Sequence, residues 1–210
     1  MKRFQFLVII PAFLLANACG NNSNDSSRNT NDTTQTSADT LSKSQPAKKN
    51  VQSWKVDEPS SKVEFTIKNF GQDVHGTLAP PQGVVAFDEN ELNRSAFDVV
   101  VKVNTINTGN DKRDKDLMHE KYFNEAQFHD IIFKSDTIRK SETGYVAIGN
   151  LMLKGKSLKR ELPFTFEQQG DKGIFKSQFT LQRLDYGIGG DGPIMGKEVN
   201  VSLEIVTEKK

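Results

Sequence analysis

The residue types best suited to chemistry crowd between positions 110 and 130, where the sequence reads NDKRDKDLMHEKYFNEAQFHD. Several acids there lie beside His119 and His129, two of the chain's three histidines. Histidines and carboxylates together can transfer protons or bind a metal ion. However, the histidines show no i, i+4 spacing and no cysteine partner, and no two acids stand out as a pair. We therefore predict no enzymatic activity, no cofactor and no metal site. The alternative is a metal- or redox-associated accessory protein, or a hydrolase, that uses His75, His119 and nearby acids.

Two glycine-rich segments match nucleotide-binding motifs only in their letters. GIGGDG, at 187–192, fits G-x-G-x-x-G, but a dinucleotide site needs a helix after the glycines, and here a strand pattern follows. GNLMLKGKS, at 149–157, has five residues between its glycines where a phosphate loop has four, and no helix follows it. We interpret the first as a loop and the second as a hairpin turn.

The 110–130 segment also has the pattern of a short amphipathic helix, predicted over 111–122. Asn110 or Asp111 can cap its first turn. Its apolar stripe would consist of Leu117, Met118, Tyr122 and Phe123. Such a helix would lie across the mouth of a barrel with its charged side in water, so we interpret it as a plug or lid.

Length and composition narrow the class of protein. The chain has 210 residues, enough for one domain with a substantial core. Its net charge of +1 argues against a nucleic-acid-binding protein, which usually carries a strong basic excess. Phenylalanine occurs 14 times, against one Trp and three Tyr. Such purely apolar rings fill a core or line an apolar cavity.

The N-terminal 50 residues differ from the rest. Residues 1–18 have the pattern of a signal peptide, with Lys2 and Arg3 before an apolar run that is too short to span a bilayer. LLANACG resembles the lipobox of bacterial lipoproteins, in which Cys19 would carry diacylglycerol; a plain secretory signal is the alternative. Residues 19–50 contain almost no apolar side chains, which predicts a disordered linker from the lipid anchor to a domain over 51–210. The expected location is the bacterial cell envelope, on the periplasmic or outer-membrane face.

The elements that must position these residues are strands. KVEFTIK places Val63, Phe65 and Ile67 on one side, and similar alternation recurs up to VNVSLEI near the C-terminus. Polar residues occupy the opposite faces, and turn sequences separate the segments. A closed sheet buries one face and removes exposed edges. We predict an all-β fold, an extended antiparallel eight-stranded barrel with a short helical insert.

Six segments, in this order, resemble the YceI-like family. They are WKVDEPSSKVEFTI (54–67), HGT (75–77), NTGNDKRDKDL (107–117), YFNEAQFHDIIFKS (122–135), GNLMLKGKSLKRELPFTF (149–166) and RLDYGIG (183–189). The resemblance spans nearly all of 54–206. The sequence departs from the family at VHGTL, where VRGTF is usual, and at APPQG, where a short aromatic-glycine turn is common. These departures would change the shape of one end of the tunnel.

The resemblance implies an exported, lipocalin-like barrel, often dimeric, that holds a polyisoprenoid or fatty-acid derivative in its central tunnel. The predicted function is non-catalytic binding, storage or transport of such a lipid. The expected partners are this ligand and the membrane, through acylated Cys19, with no nucleic acid. The predicted lipid-lining residues are Phe65, Ile67, Phe97, Val99, Val101, Leu117, Met118, Tyr122, Phe123, Phe133, Phe164, Phe166, Phe175 and Phe179. The predicted head-group contacts are Lys112, Arg113 and Lys115. A barrel filled by side chains, acting as a protein-interaction module, stays open as a further alternative.

Overall fold

The structure is a computed structural model that describes residues 51–210. The predicted signal peptide over 1–18, the predicted linker over 19–50 and the lipidation site Cys19 lie outside these residues and stay predictions. In the described part of the chain, no helix is both long enough and apolar enough to cross a bilayer.

Residues 51–210 contain ten antiparallel strands, one α-helix and four short 3-10 helices. The strands are β1 (Ser53–Val56), β2 (Lys62–Asn69), β3 (Gln72–Leu78), β4 (Gln82–Ala86), β5 (Ala96–Lys102), β6 (Asp130–Ser141), β7 (Gly144–Leu153), β8 (Lys156–Gln169), β9 (Lys172–Gln182) and β10 (Met195–Lys209). The helix α1 (Asp111–Met118) lies between β5 and β6.

The sheet closes on itself through its last strand. Its order is β1-β4-β5-β6-β7-β8-β9-β10-β2-β3, and β1 also pairs with β10. Along one edge β10 pairs with β9, and along the other it pairs first with β2 and then with β1. Thus β1 and β2 form one interrupted strand, as do β3 and β4. Counted this way, the barrel has eight strands, which confirms the predicted fold class.

The loop that follows β5 pairs with β3. The Thr77 N–H donates to the Asn107 carbonyl at 2.8 Å, and the Asn107 N–H donates back to the Thr77 carbonyl at 3.0 Å. Residues 103–110, which connect β5 to α1, therefore lie against the edge of β3. This pairing positions α1 beside the hollow end of the barrel.

The apolar faces of the strands point inward. In β2, Val63, Phe65 and Ile67 alternate with polar residues because successive side chains of a strand point to opposite faces. The outer face carries cross-strand ion pairs such as Lys176–Glu204, at 3.4 Å. Both side chains of this pair are exposed, so it contributes little to stability. Burial of the inner face therefore stabilises the barrel.

One end of the barrel is filled by an aromatic cluster. Its members are Trp54, Phe87, Tyr145, Phe164, Phe166 and Phe175. Phe87 is only 1% exposed, and its ring centroid lies 5.0 Å from that of Tyr145 in an edge-to-face arrangement that aromatic pairs favour. The Trp54 indole N–H donates to the Phe87 carbonyl at 2.9 Å. This end is solid, and the open space of the barrel lies beyond it.

The helix α1 begins as predicted and ends earlier. The Asn110 side chain caps it by accepting from the Arg113 N–H at 3.0 Å, which confirms the predicted N-cap. The helix stops at Met118 instead of reaching position 122, because His119 has extended backbone and a turn follows. In a continuous helix, Leu117 and Tyr122 would point about 140° apart. The turn lets both residues reach the barrel interior.

Candidate functional site

Beyond the aromatic cluster, the barrel contains a cavity of about 860 Å³. This is within the range of ~300–1,000 Å³ that is typical of small-molecule sites. Phe164 and Phe175 of the aromatic cluster form part of its wall, and α1 lines its other end. Most of its surface is apolar. Water in such a space finds few hydrogen-bond partners, so an apolar ligand suits it better.

Twelve of the fourteen residues predicted to line the tunnel do line this cavity. They are Phe65, Ile67, Phe97, Val99, Val101, Leu117, Tyr122, Phe123, Phe133, Phe164, Phe175 and Phe179. Nine of them come from strands, and the other three come from α1 and the turn after it. The turn at His119 is therefore what brings the helix segment and the strands into one wall.

Phe166 and Met118 do not line the cavity, contrary to prediction. Phe166 lies in the aromatic cluster, with its ring centroid 4.9 Å from that of Phe87 and 5.4 Å from that of Trp54. It is therefore in the filled end of the barrel. Met118 follows Leu117, which faces the cavity, and the next residue of a helix points about 100° away.

The three predicted head-group residues lie in different surroundings. Lys112 and Arg113 line the cavity, whereas Lys115 does not, because it projects from α1 outside the arc that faces the cavity. The Arg113 guanidinium donates to the Thr108 hydroxyl at 2.7 Å and to the Thr108 carbonyl at 2.8 Å. It therefore ties the 103–110 loop to α1. Lys112 is exposed and is the more available cation of the two.

The predicted lining residues leave out part of the cavity wall. Val199, Val201, Leu203 and Ile205 of β10 line the cavity, and the alternation in VNVSLEI identifies them. Tyr186 and Ile188, in the loop after β9, also line it. No periodicity marks these two residues, because they belong to an irregular segment.

Arg183 is a buried cation in the cavity wall. It is 3% exposed and donates four hydrogen bonds of 2.7–3.0 Å, all to backbone carbonyls. The acceptors are Ile188, Gly190, Met195 and Gly196. These bonds satisfy a charge that would otherwise be costly to bury. Arg183 therefore holds the loop before β10 in place at the end of the cavity away from the aromatic cluster, which we call the cavity mouth.

Tyr186, which lines the same cavity, is a second buried residue with a polar group. Its side chain is 1% exposed, and its hydroxyl has no hydrogen-bond partner among the described residues. Burial raises the pKa of the Tyr186 hydroxyl above its ordinary value, so the group stays protonated. Because the hydroxyl oxygen is itself fully buried, it faces packed protein instead of the open space of the cavity.

The histidines lie on the surface. His75 Nδ1 is 3.0 Å from the Thr66 hydroxyl, His129 Nδ1 is 3.2 Å from a Glu125 carboxylate oxygen, and His119 follows the last residue of α1. All three are exposed. Within residues 51–210, no three or more His, Cys, Asp or Glu side chains come close enough together to hold a metal ion.

The sequence of residues 54–207 matches the family model of the YceI-like domain. These residues include every strand of the barrel except its extreme ends. The chain belongs to the YceI-like family. A UPF0312 protein of Yersinia enterocolitica is 26% identical over 161 residues, covering 72% of this YceI-like chain and 84% of that protein.

Solved structures share the fold of this YceI-like chain. BcnA of Burkholderia cenocepacia gives a TM-score of 0.69 at 22% identity and covers 72% of this chain and 99% of that one. A polyisoprenoid binding domain from Saccharophagus degradans gives a TM-score of 0.57 at 14% identity, over 77% of this chain and 100% of that one. At these identities the likeness establishes the barrel fold alone.

Proposed function

We propose that this YceI-like protein binds a long-chain apolar lipid, a polyisoprenoid or a fatty-acid derivative, in the barrel cavity, and stores or transports it without performing chemistry on it. The observation that carries the proposal is the cavity of about 860 Å³ with an apolar wall and an aromatic floor. The Saccharophagus degradans neighbour, described as a polyisoprenoid binding domain, supports the ligand class.

The apolar wall is sufficient to hold such a chain. Each buried methylene contributes ~0.8 kcal/mol, so ten of them contribute roughly 8 kcal/mol gross. Immobilisation of the ligand opposes this by several kcal/mol. Affinity should therefore rise by up to about fourfold per added methylene until the chain reaches the aromatic cluster.

The cavity mouth suits an anionic head group. Lys112 and Lys121 both line the mouth and are exposed, and neither forms an ion pair with a carboxylate of the described residues. Asp116 lies beside them in the same wall. A phosphate or carboxylate at the end of the lipid would meet these lysines while its chain fills the cavity.

We further propose that the protein works at the bacterial cell envelope, on the periplasmic or outer-membrane face. Acylated Cys19 would attach it to the membrane, residues 19–50 would act as the tether, and two copies would form a homodimer. Metabolic labelling with an alkyne fatty acid tests the attachment: the wild-type chain should be labelled and the Cys19→Ser variant should not. Sedimentation equilibrium tests the dimer, and a monomer at all concentrations would contradict it.

Competition with a fluorescent fatty acid tests the ligand. Fatty acids and prenyl alcohols of increasing length should displace the probe with increasing affinity. Lys112→Gln should weaken the binding of the acids but leave the alcohols unchanged, whereas Lys115→Gln, whose site lies off the cavity, is the matched control. If neither ligand series displaces the probe, the proposal is wrong.

A further inference from the structure

Two exposed apolar side chains lie together at the cavity mouth. Phe70, in the turn between β2 and β3, is 73% exposed, and Ile194, directly before β10, is 50% exposed. Both line the cavity. The Phe70 N–H donates to the Ile194 carbonyl at 2.8 Å, which joins the two loops. We call these two residues the apolar tips.

Folding does not explain the choice of phenylalanine at position 70. Phe70 has a φ of 51° and Gly71 a φ of 75°, so the turn needs two left-handed residues, for which Asn, Asp and Gly are preferred. The β7–β8 turn has the same conformation, with φ values of 48° and 72°, and carries Lys154 and Gly155. A bulky aromatic residue is disfavoured in this conformation, and its exposure to water stabilises nothing. The residue therefore has a role outside the fold.

We infer that the apolar tips insert into the surface of a phospholipid bilayer, so that the cavity opens onto the membrane while a lipid enters or leaves. This inference builds on the proposed lipid-binding function. A water-insoluble chain that moves between cavity and bilayer avoids water only if the mouth touches the membrane. Aromatic and aliphatic residues at a loop tip can enter the boundary between head groups and acyl chains.

The size of the exposed patch favours a bilayer over a protein partner. One aromatic side chain buries about 150–250 Å². A specific protein interface needs about 800 Å² from each partner. Two side chains on separate loops fall well short of that area, but they are sufficient for a shallow and reversible membrane contact.

The charges at the mouth are compatible with such a surface. Asp73 and Asp191, which flank the apolar tips in sequence, are paired with lysines at 2.8 and 2.9 Å. Lys112 and Lys121 have no carboxylate partner among residues 51–210, and Asp116 is the acid beside them. Because the positive excess is small, we expect the apolar tips to dominate binding and anionic lipids to strengthen it modestly.

Tryptophan quenching tests the insertion directly. Phe70→Trp in the full chain should show a blue shift and quenching with brominated phosphatidylcholine vesicles. Val84→Trp is the matched control, because Val84 is 52% exposed on β4 and does not line the cavity. The native Trp54 is 1% exposed and gives a constant background. Equal quenching of the two variants, or none in Phe70→Trp, would overturn the inference.

Lipid transfer gives a second test. The double variant Phe70→Asn, Ile194→Ser should keep its thermal stability, since Asn fits the turn, and should transfer bound fatty acid to vesicles at least about tenfold more slowly. Val84→Thr should transfer at the wild-type rate. A double variant with the wild-type rate would overturn the inference. If the wild-type chain takes up no fatty acid, the proposed lipid cavity is refuted instead. The quenching experiment does not depend on that cavity, so it tests the membrane contact separately.

Discussion

Val201→Trp should shorten the cavity and thereby shorten the longest lipid that the protein binds well. Val201 lies on the inner face of β10, paired with Phe65 on β2 and with Phe179 on β9, and all three residues line the cavity. The larger ring would enter open space instead of packed core. We therefore expect the free energy of unfolding to change by less than about 1.5 kcal/mol.

The loss of ligand space gives the size of the effect. The substitution adds about seven non-hydrogen atoms, which displace about as many methylenes of a bound chain and remove up to about 6 kcal/mol of gross binding free energy. Short chains that do not reach position 201 should bind as before. In the wild type, affinity should rise with chain length to a plateau, and in Val201→Trp the plateau should begin about seven carbons earlier.

The assay is a competition titration with fatty acids of increasing length, carried out on the wild type, Val201→Trp and Phe166→Leu. Phe166 belongs to the aromatic cluster and does not line the cavity, so its replacement should lower stability by about 1–2 kcal/mol and leave the plateau in place. A folded Val201→Trp variant with the wild-type plateau would refute the assignment of the cavity as the binding site.

Three further predictions concern the stability of the barrel and of the helix beside it. The Tyr145 hydroxyl donates to the Glu89 carboxylate, and burial together with this bond raises the pKa of Tyr145 to about 12. Between pH 10 and 12 the native state therefore keeps a proton that the unfolded chain has lost, so the free energy of unfolding should fall as pH rises. In urea titrations over this range, Tyr145→Phe should show a smaller fall than the wild type. Asn110→Ala removes the cap of α1 and should lower the free energy of unfolding by about 1 kcal/mol in the same assay; no change would contradict the capping role. Gly149→Ala places a Cβ in steric conflict with the Lys134 carbonyl oxygen and should destabilise the barrel by about 2 kcal/mol or more, which a melting curve would show.

Alternation along the strands was enough to predict the barrel and much of its wall. Phe65 and Ile67, two residues apart on β2, both line the cavity because strand side chains repeat every second residue. The same rule applied to VNVSLEI places Val199 and Val201 in the wall. These are local properties of the chain, and a sequence displays them directly.

Properties set by distant contacts could not be predicted in this way. Alternation places Phe166 on an inner face, but only its contacts with Trp54 and Phe87 show that this part of the barrel is filled. The end of α1 likewise depends on the extended backbone of His119, although the helical pattern of apolar residues continues beyond it in the sequence. Helical periodicity predicted both Leu117 and Met118 as lining residues, and of these two only Leu117 lines the cavity.

Arg183 shows the same limit for a polar residue. In the sequence it is one arginine in an irregular segment, and nothing local marks it as buried. In the structure its guanidinium donates to two carbonyls of the loop before β10 and to the carbonyls of the first two residues of β10, 5 to 13 residues away along the chain. Such a role becomes visible only when the loop and the strand end are placed together.

Native mass spectrometry of the full chain, purified without detergent exchange from a bacterial cell envelope, tests the central claim most directly. We predict one long-chain lipid bound to each chain, recovered by organic extraction, and replaced by a shorter species or lost in Val201→Trp. A wild-type chain that carries no lipid, and that takes up neither prenyl nor fatty-acyl probes when they are added, would contradict the account.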